Sequence, residues 1–185
     1  KDFITDAPVL KDVNGLPYIP GSSIAGVIRH AIGEEKAKSF FGYNDRDKSE
    51  NSIGSEIIFT HALMIGKEGD VIESLNEIDF NDEDFYSRFK ALPIRQHNSI
   101  DAKGTVKDGG KFDEQVVYKG TRFCFEIEKI SMQEEDVDFK NVINTIYAND
   151  LRLGGGTRTG FGKIKVISCK HVVLNLANPE GLCKY

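Results

Sequence analysis

Between a strand-like run ending near Ile65 and another beginning at Phe123 lies a stretch, residues 92–120, with no helical or strand periodicity and many glycines and polar residues. An excursion of that length inside a compact domain is usually functional or disordered. The core must therefore be built from the patterns on either side. Upstream, Ile24, Val27, Ile28 and Ala31 recur at helical spacing and predict a helix from Ser22 to about Lys38. Ile57-Ile58-Phe59 through Met64-Ile65 predicts a buried strand. Downstream, Phe123, Phe125 and Ile127 alternate with Cys124, Glu126 and Glu128, the mark of a strand with one wet face. Val137, Val142, Ile143 and Ile146 predict a helix over 134–149. Phe161 to Leu176 predicts a further strand, with Lys163 and Lys165 on the face opposite Ile164 and Val166. The order α, β, excursion, β, α, β is a split β-α-β plan without its opening strand. That strand is expected before Lys1 or in a larger chain. The excursion reads as an extended ribbon, and the acidic stretch 66–91 as an insertion with a short helix from Asp82 to Ala91. One domain over 1–185 is expected, with insertions at 66–91 and 93–119.

Composition narrows the class. With 39% hydrophobic residues and 12 Phe among 185 residues, the chain can bury an ordinary core. No apolar run approaches the ~18 residues that span a bilayer. Three cysteines without a CxxC argue against a disulfide framework, and Cys169 and His171 lack a second ligand pair for zinc. A cytoplasmic location is the expectation. The net charge of -5 argues against a free-standing nucleic-acid binder, but its distribution does not. From Lys140 to His171 there are six Lys or Arg against Asp150 alone, about +5, which leaves about -10 for the remainder. A basic stripe can face phosphates while the acidic rest keeps the molecule soluble. The plainer reading is two solvated faces.

Two motifs carry more chemistry. In Leu151-Arg-Leu-Gly-Gly-Gly-Thr-Arg-Thr-Gly-Phe-Gly162, five glycines among nine residues let the backbone adopt positive φ and approach other atoms closely. Successive N–H groups of Gly154, Gly155, Gly156 and Gly160 can form an anion-binding concavity. Thr157, Arg158 and Thr159 add donors suited to phosphate, and Lys163 follows. A turn that merely needs flexibility would also use glycine. The run is neither a Walker loop nor a dinucleotide fingerprint. The second motif, Pro20-Gly-Ser-Ser-Ile-Ala-Gly-Val-Ile-Arg29, places Ser22 and Ser23 at a helix start where hydroxyls and free N–H groups suit phosphate. An ordinary capped helix is the simpler reading. Gly26 in the first turns is costly, by ~1 kcal/mol, and predicts close packing there.

Taken together, the stretch Asp6 to Arg29 and the late Gly-Gly-Gly-Thr-Arg-Thr-Gly-Phe-Gly-Lys loop resemble the RAMP superfamily of CRISPR systems, and within it the backbone subunits of type III effector complexes. Ser55–Ala62 and Asn98-Ser-Ile-Asp-Ala-Lys-Gly-Thr extend the resemblance over nearly the whole chain, weakest over 66–91 and after 170. The resemblance implies an α+β, ferredoxin-like (RRM-like) β-α-β-β-α-β core with a thumb-like insertion. It also implies that such subunits stack along a guide RNA as a filament, with other Cas subunits or copies of themselves. Ser22, Ser23, Arg29 and the glycine loop would grip the guide backbone, and residues 93–119, with Arg95, His97, Lys103 and Lys107, would form a thumb wedged into the guide–target duplex. In target-cleaving members an Asp before the Pro of the N-terminal loop is required, with a divalent metal, Mg or Mn. By position that residue is Asp6. Two departures stand out: Ala25 where the family often has Lys, and Thr159 where it often has Arg, with Arg158 one place earlier.

The residues themselves leave alternatives. A carboxylate at position 6 can bind a metal that neutralises developing charge or can help remove the attacking proton, but loop aspartates commonly just hold turns. Asp12 is better placed to hold the Asn14-Gly15 turn. No motif binds a metal by itself. His30 can touch RNA or face solvent, and His61 and His171 read as structural. The leading function is a guide-RNA-binding subunit that cleaves target RNA as an endoribonuclease within an assembled complex. The alternatives are a non-catalytic scaffold and a guide-processing ribonuclease using a His base.

Overall fold

A computed structural model describes residues 5–44, 52–75, 78–81, 84–129, 137–148 and 151–183. The architecture is α+β: α1 (Gly21–Ile32), α2 (Glu34–Phe41), β1 (Ile57–Phe59), β2 (Leu63–Met64), α3 (Asp84–Lys90), β3 (Ile94–Ile100), β4 (Val106–Gln115), β5 (Phe123–Cys124), β6 (Ile127–Lys129), α4 (Val137–Tyr147) and the short α5 (Pro179–Leu182). The chain divides into two compact units, Lys1–Met132 and Gln133–Tyr185.

In the first unit, the segments carrying β1–β2 and β5–β6 pair antiparallel twice. Ile57 faces Lys129 and Phe59 faces Ile127, then Leu63 faces Cys124 and Met64 faces Phe123. Three residues, Thr60 to Ala62, therefore stand opposite two, Phe125 and Glu126, which is a bulge. Thr60 fills the irregular rung: its hydroxyl oxygen accepts from the Glu126 N–H at 2.8 Å. Ala62 exchanges both main-chain hydrogen bonds with Ile19 instead, at 2.8 and 3.0 Å. The expected continuous buried strand over 57–65 is thus two short ladders, with Ile57 and Met64 buried but Ile58 exposed.

The predicted helix from Ser22 to Lys38 is two helices. Gly33 adopts φ 94°, ψ 148°, a conformation open to glycine and costly for any L side chain, and α2 continues to Phe41. Ile24 and Ile28, four apart, are the buried stripe of α1, and Ala37 and Phe40 are that of α2. Phe41 stacks on Phe59 with centroids 5.6 Å apart, and Lys129 lies 4.8 Å over the Phe40 ring while reaching Glu56 at 3.4 Å.

A second apolar cluster, Leu16, Met64, Phe89 and Leu92, gathers Val9, Ile72, Ile78, Phe80, Phe85, Tyr86 and Phe123 around it. The acidic segment thus contributes much of this core while Glu68, Asp70, Glu73 and Asp79 stay exposed. Its helix is α3, within the expected 82–91, of which 82–83 lie outside the described residues. The Asn14-Gly15 turn is held as expected by Asp12, whose Oδ1 accepts from the Asn14 and Leu16 amides, each at 2.9 Å.

In the second unit, α4 matches the helix expected over 134–149, with Val142 and Ile146 buried; residues 134–136 and 149 lie outside the described set. The strand expected over Phe161–Leu176 is not formed as a ladder among the described residues. Lys163 bridges Arg152, and beyond it no pairing is described. Alternation supplies a wet and a dry face, but a strand also needs a partner backbone, and Ile167 and Val173 are about 70% exposed.

Gly21 is where α1 meets the sheet. A Cβ added there would lie 2.3 Å from the Phe59 carbonyl oxygen and 2.7 Å from that of Thr60, both backbone atoms. At Gly26 the same test finds open space within 4 Å, so the close packing expected there is not supplied by the described protein. Gly21→Ala should therefore destabilise by roughly 1–3 kcal/mol, and Gly26→Ala should stabilise by about 0.5–1 kcal/mol. Urea unfolding midpoints of the two variants test this; the reverse order would contradict the seating of α1 on β1.

Candidate nucleic-acid interface and cleavage site

The start of α1 is organised differently from the capped helix expected. Pro20 occupies the N-cap and no side chain caps the helix. The Pro20 carbonyl accepts from the Ser23 and Ile24 amides, at 2.9 and 3.3 Å, and the Gly21 N–H donates to Nδ1 of His61 at 3.1 Å. An acceptor Nδ1 puts the proton of a neutral imidazole on Nε2. Tyr18 packs edge-on against the His61 ring, 5.4 Å between centroids. His61 is therefore structural, as its strand setting implied, but it serves the helix start directly. Ser22 and Ser23 are exposed, Arg29 is half-buried in the last turn, and His30 is exposed.

The glycine loop of the second unit is a closed structure with a defined base. Leu153 N–H donates to the Gly162 carbonyl at 2.9 Å, Ile164 N–H to that of Leu151 at 3.4 Å, and Arg152 Nη1 to that of Phe161 at 3.3 Å. Gly162 permits this closure: a Cβ there would lie 2.1 Å from the Leu153 carbonyl oxygen. Above the base, Gly154, Gly156 and Gly160 have φ of 83°, 64° and 97°, and Thr157–Thr159 forms one 3-10 turn. The Gly156 carbonyl accepts from the Thr159 amide, the Thr159 hydroxyl and the Phe161 amide, at 2.9, 2.8 and 3.2 Å. The Thr159 hydroxyl proton, expected to be available to phosphate, is thus used inside the loop. Gly154, Gly155 and Gly160 are exposed, as is Lys163, and Thr157 is half-buried. The Arg158 side chain lies outside what is described.

The ribbon expected over 92–120 is a long antiparallel hairpin. Ile94 pairs with Gln115, His97 with Phe112, and Ile100 with Val106, with an irregularity between Asn98 and Ile100. Its tip is fastened by Asp101, whose Oδ1 accepts from the Lys103 and Thr105 amides at 2.9 Å each and whose Oδ2 accepts from the Thr105 hydroxyl at 2.8 Å. Arg95, Lys103 and Lys107 are exposed along the hairpin. His97 instead lies flat on Phe112, 5.0 Å between centroids, with Nε2 3.3 Å from Glu114.

At the hairpin root sits Asp6. Ala7 forms a parallel bridge to Glu114: its N–H donates to the Asp113 carbonyl at 3.2 Å and its carbonyl accepts from the Gln115 N–H at 2.9 Å. One rung further on, Asp6 Oδ2 accepts from the Asp113 amide at 3.0 Å. The Asp6 side chain is exposed. Asp113 Oδ1 is buried and has no hydrogen-bond partner among the described residues, a costly state for a carboxylate oxygen. The sequence brought Asp6 and the hairpin to notice separately; their joining depends on pairing between segments over 100 residues apart, which no local pattern encodes.

The first unit thus presents a long hairpin with a loop carboxylate at its root, and the second unit a glycine loop. The chain belongs to the RAMP superfamily, whose family model matches residues 1–165. Over 168 residues it is 32% identical to the CRISPR system Cms endoribonuclease Csm3 of Methanocaldococcus jannaschii, covering 87% of this chain and 67% of that protein. Its fold is shared with a chain of the type III-B Cmr-beta complex in the apo state (TM-score 0.53, 15% identity, 85% of this chain and 86% of that one). The same complex bound to cognate target RNA gives TM-score 0.55 at 16% identity, covering 84% and 85%. A chain of a type IV-B CRISPR complex gives 0.54 at 18%, covering 89% and 78%. Among the described residues no helix is long and apolar enough to cross a membrane.

The Asp101 carboxyl is held below its ordinary value of 3.8, first by the Thr105 hydroxyl and then by the Thr105 amide, against slight desolvation, with the Lys103 and Gly104 amides adding to the lowering. A lowered value means that the ionised form is the one the turn prefers. The order of the tip is therefore present above the ordinary value and lost as pH falls through the lowered one. Protection of the Thr105 amide, taken relative to an unstructured amide at the same pH, should hold above the ordinary carboxylate value and be lost as pH falls through the lowered one. Asp101→Ala should remove the protection throughout, and an unchanged Thr105 amide in that variant would count against this turn.

Proposed function

We propose that this chain is a guide-RNA-binding backbone subunit of a type III CRISPR effector complex, one RAMP domain with the acidic segment and hairpin as insertions, and that it cleaves target RNA through Asp6. The observation that carries the reading is the tether of the exposed Asp6 carboxylate to the Asp113 amide at the hairpin root. A hairpin inserted into a guide–target duplex would thereby carry the carboxylate to a fixed distance from the distorted step. The relative named as an endoribonuclease, Csm3 of M. jannaschii, supports the cleaving role. Ser22, Ser23 and Arg29 of the first unit, and the glycine loop and Lys163 of the second, would each contact guide RNA, with other Cas subunits or copies of this chain beside it in a filament in the cytoplasm. Arg95, His97, Lys103 and Lys107 would line the thumb.

The chemistry is in-line attack of a target 2′-hydroxyl on its neighbouring phosphorus. A 2′-O–P bond forms, the P–O5′ bond breaks, and a 2′,3′-cyclic phosphate and a 5′-hydroxyl result. The 2′-hydroxyl proton must leave, the departing O5′ takes a proton from water, and negative charge develops on the phosphoryl oxygens. With Oδ2 fixed by the Asp113 amide, the remaining Asp6 oxygen either accepts that proton or holds a divalent cation. Among the described residues no group of three or more His, Cys, Asp or Glu could hold a metal. The one exposed Asp6 carboxylate suits a hydrated Mg or Mn ion that would take that carboxylate and complete its shell from water and RNA oxygens. Such an ion would supply charge neutralisation at the phosphoryl oxygens.

A scaffold that binds without cutting is the second reading. It is favoured by the same hydrogen bond, because an Asp that ends a strand pairing is a sufficient structural role. Asp6→Asn keeps an oxygen for the Asp113 amide and removes the charge, so it separates the two. In the assembled complex, single-turnover target cleavage should fall by about 10²–10⁴-fold, with target binding within about threefold of wild type. Undiminished cleavage would leave the scaffold reading. Guide binding should be independent of base sequence and steeply salt-dependent. Arg158→Ala and Lys163→Ala should each reduce the salt slope by about 1, uniformly across guides.

A further inference from the structure

The Ala7–Glu114 bridge is a parallel ladder one rung long, and at both ends side chains replace the main chain. Regular parallel pairing would continue from the Asp113 N–H to the carbonyl of Thr5, and from the Val9 N–H to the carbonyl of Gln115. The structure has neither. Asp113 N–H donates to the Asp6 carboxylate at 3.0 Å, and Val9 N–H donates to Oε1 of Gln115 at 3.1 Å. Pro8, between the two, has no N–H to offer. The strap Asp6–Val9 is thus held at four points, the Asp6 carboxylate, Ala7 N–H, Ala7 carbonyl and Val9 N–H, all of them on Asp113 or Gln115.

We infer that Gln115 is a positioning residue for Asp6: its side-chain oxygen closes the far end of the strap and so makes the hairpin root set where the carboxylate stands. This rests on the reading of Asp6 as the cleaving carboxylate. The side chain of Val9 packs against the Leu16–Met64–Phe89–Leu92 cluster, but apolar contact has no preferred direction. The Gln115 bond does: it fixes the direction in which the strap leaves the Ala7 bridge along β4. Without it, the strap is held to β4 only by the Ala7 bridge and the Asp6 carboxylate, and it can turn about Ala7 up to the next fixed point at Leu10. A displacement of about 1 Å at a reacting group costs on the order of 10²-fold in rate. Only the acceptor matters, so a carboxylate can replace the amide at this position and an apolar side chain cannot.

The test is made in the assembled, guide-loaded complex with a complementary target RNA. Gln115→Met keeps the length and removes the acceptor, Gln115→Ala removes the side chain, and Gln115→Glu keeps the acceptor. Expected are faster exchange of the Val9 amide and a single-turnover cleavage rate reduced by about 10–100-fold in Gln115→Met, with target affinity unchanged. Gln115→Glu should restore both exchange and rate. Wild-type cleavage by Gln115→Met, where Asp6→Asn is inactive, overturns the inference alone. So does a Gln115→Glu variant as slow as Gln115→Met. Failure of both Gln115→Met and Gln115→Ala to assemble marks a purely structural residue and also overturns it. Wild-type cleavage by Asp6→Asn removes the reading beneath it, and the inference with it.

Discussion

The bulge at Thr60–Ala62 is the constraint on which the first unit is arranged. Were the pairing of 57–64 with 123–129 regular, Ala62 would face the same sheet edge as Thr60 and its main chain would be used within that ladder. The extra residue turns Ala62 to the opposite edge, where Ile19 takes both of its hydrogen bonds. Pro20 and Gly21 follow at once, so one irregular rung determines where α1 begins. Gly21 then needs its missing Cβ, because the carbonyls of Phe59 and Thr60 already occupy that space. His61, within the bulge, takes the amide that the seating leaves over. Register, glycine and histidine answer one geometric problem.

The same N-terminal segment serves first the β3–β4 hairpin and then the turn between β1 and β2. Its first residues join β4 through Ala7, its middle is pinned by Asp12 and by Lys11 Nζ on the Phe89 carbonyl, and its end joins Ala62. A segment with three of the chain's five prolines cannot form continuous ladders, because each proline removes a donor. It makes single rungs instead, with side chains supplying the missing acceptors. The consequence is a loop whose backbone is fixed at intervals and whose exposed group, Asp6, is held by its own carboxylate. Rigid support for a loop residue is what a reactive group requires, since functional groups are often on loops positioned by a stable scaffold.

What was legible in the sequence followed from local rules. Helical spacing gave Ile24 and Ile28 their buried stripe, an apolar run marked 57–65 and alternation marked 123–128 as strands, and lack of periodicity marked the hairpin. Asp12 announced its turn through its spacing to Asn14-Gly15. The errors share a cause. At Gly33 the apolar spacing has already stopped at Ala31, but whether a glycine there ends the helix or only weakens it is decided by its backbone conformation. The alternation over 161–176 states which face is dry, not whether another strand is present to pair. Thr159 looked like a phosphate donor because its type suits one; its hydroxyl instead bonds the Gly156 carbonyl, a contact set by the tightness of the turn. The bond from Asp113 to Asp6 spans 107 positions, and only chain topology creates it.

On the function proposed above, a chain that binds a long polyanion without reading its bases has two separate demands to meet. A backbone grip needs donors that repeat with the sugar-phosphate rail, and positive-φ glycines bring main-chain atoms where side chains would obstruct them. Attraction spread over many phosphates is strong but carries no register. Register must come from a rigid element that enters at set intervals, and a two-stranded ribbon is stiff only if its ends are secured. Here Asp101 secures the tip with three hydrogen bonds, and the Asp6–Val9 strap secures the root. On that proposal, a chain with net charge -5 would bind RNA through local donors and the spacing its geometry supplies, not through bulk attraction.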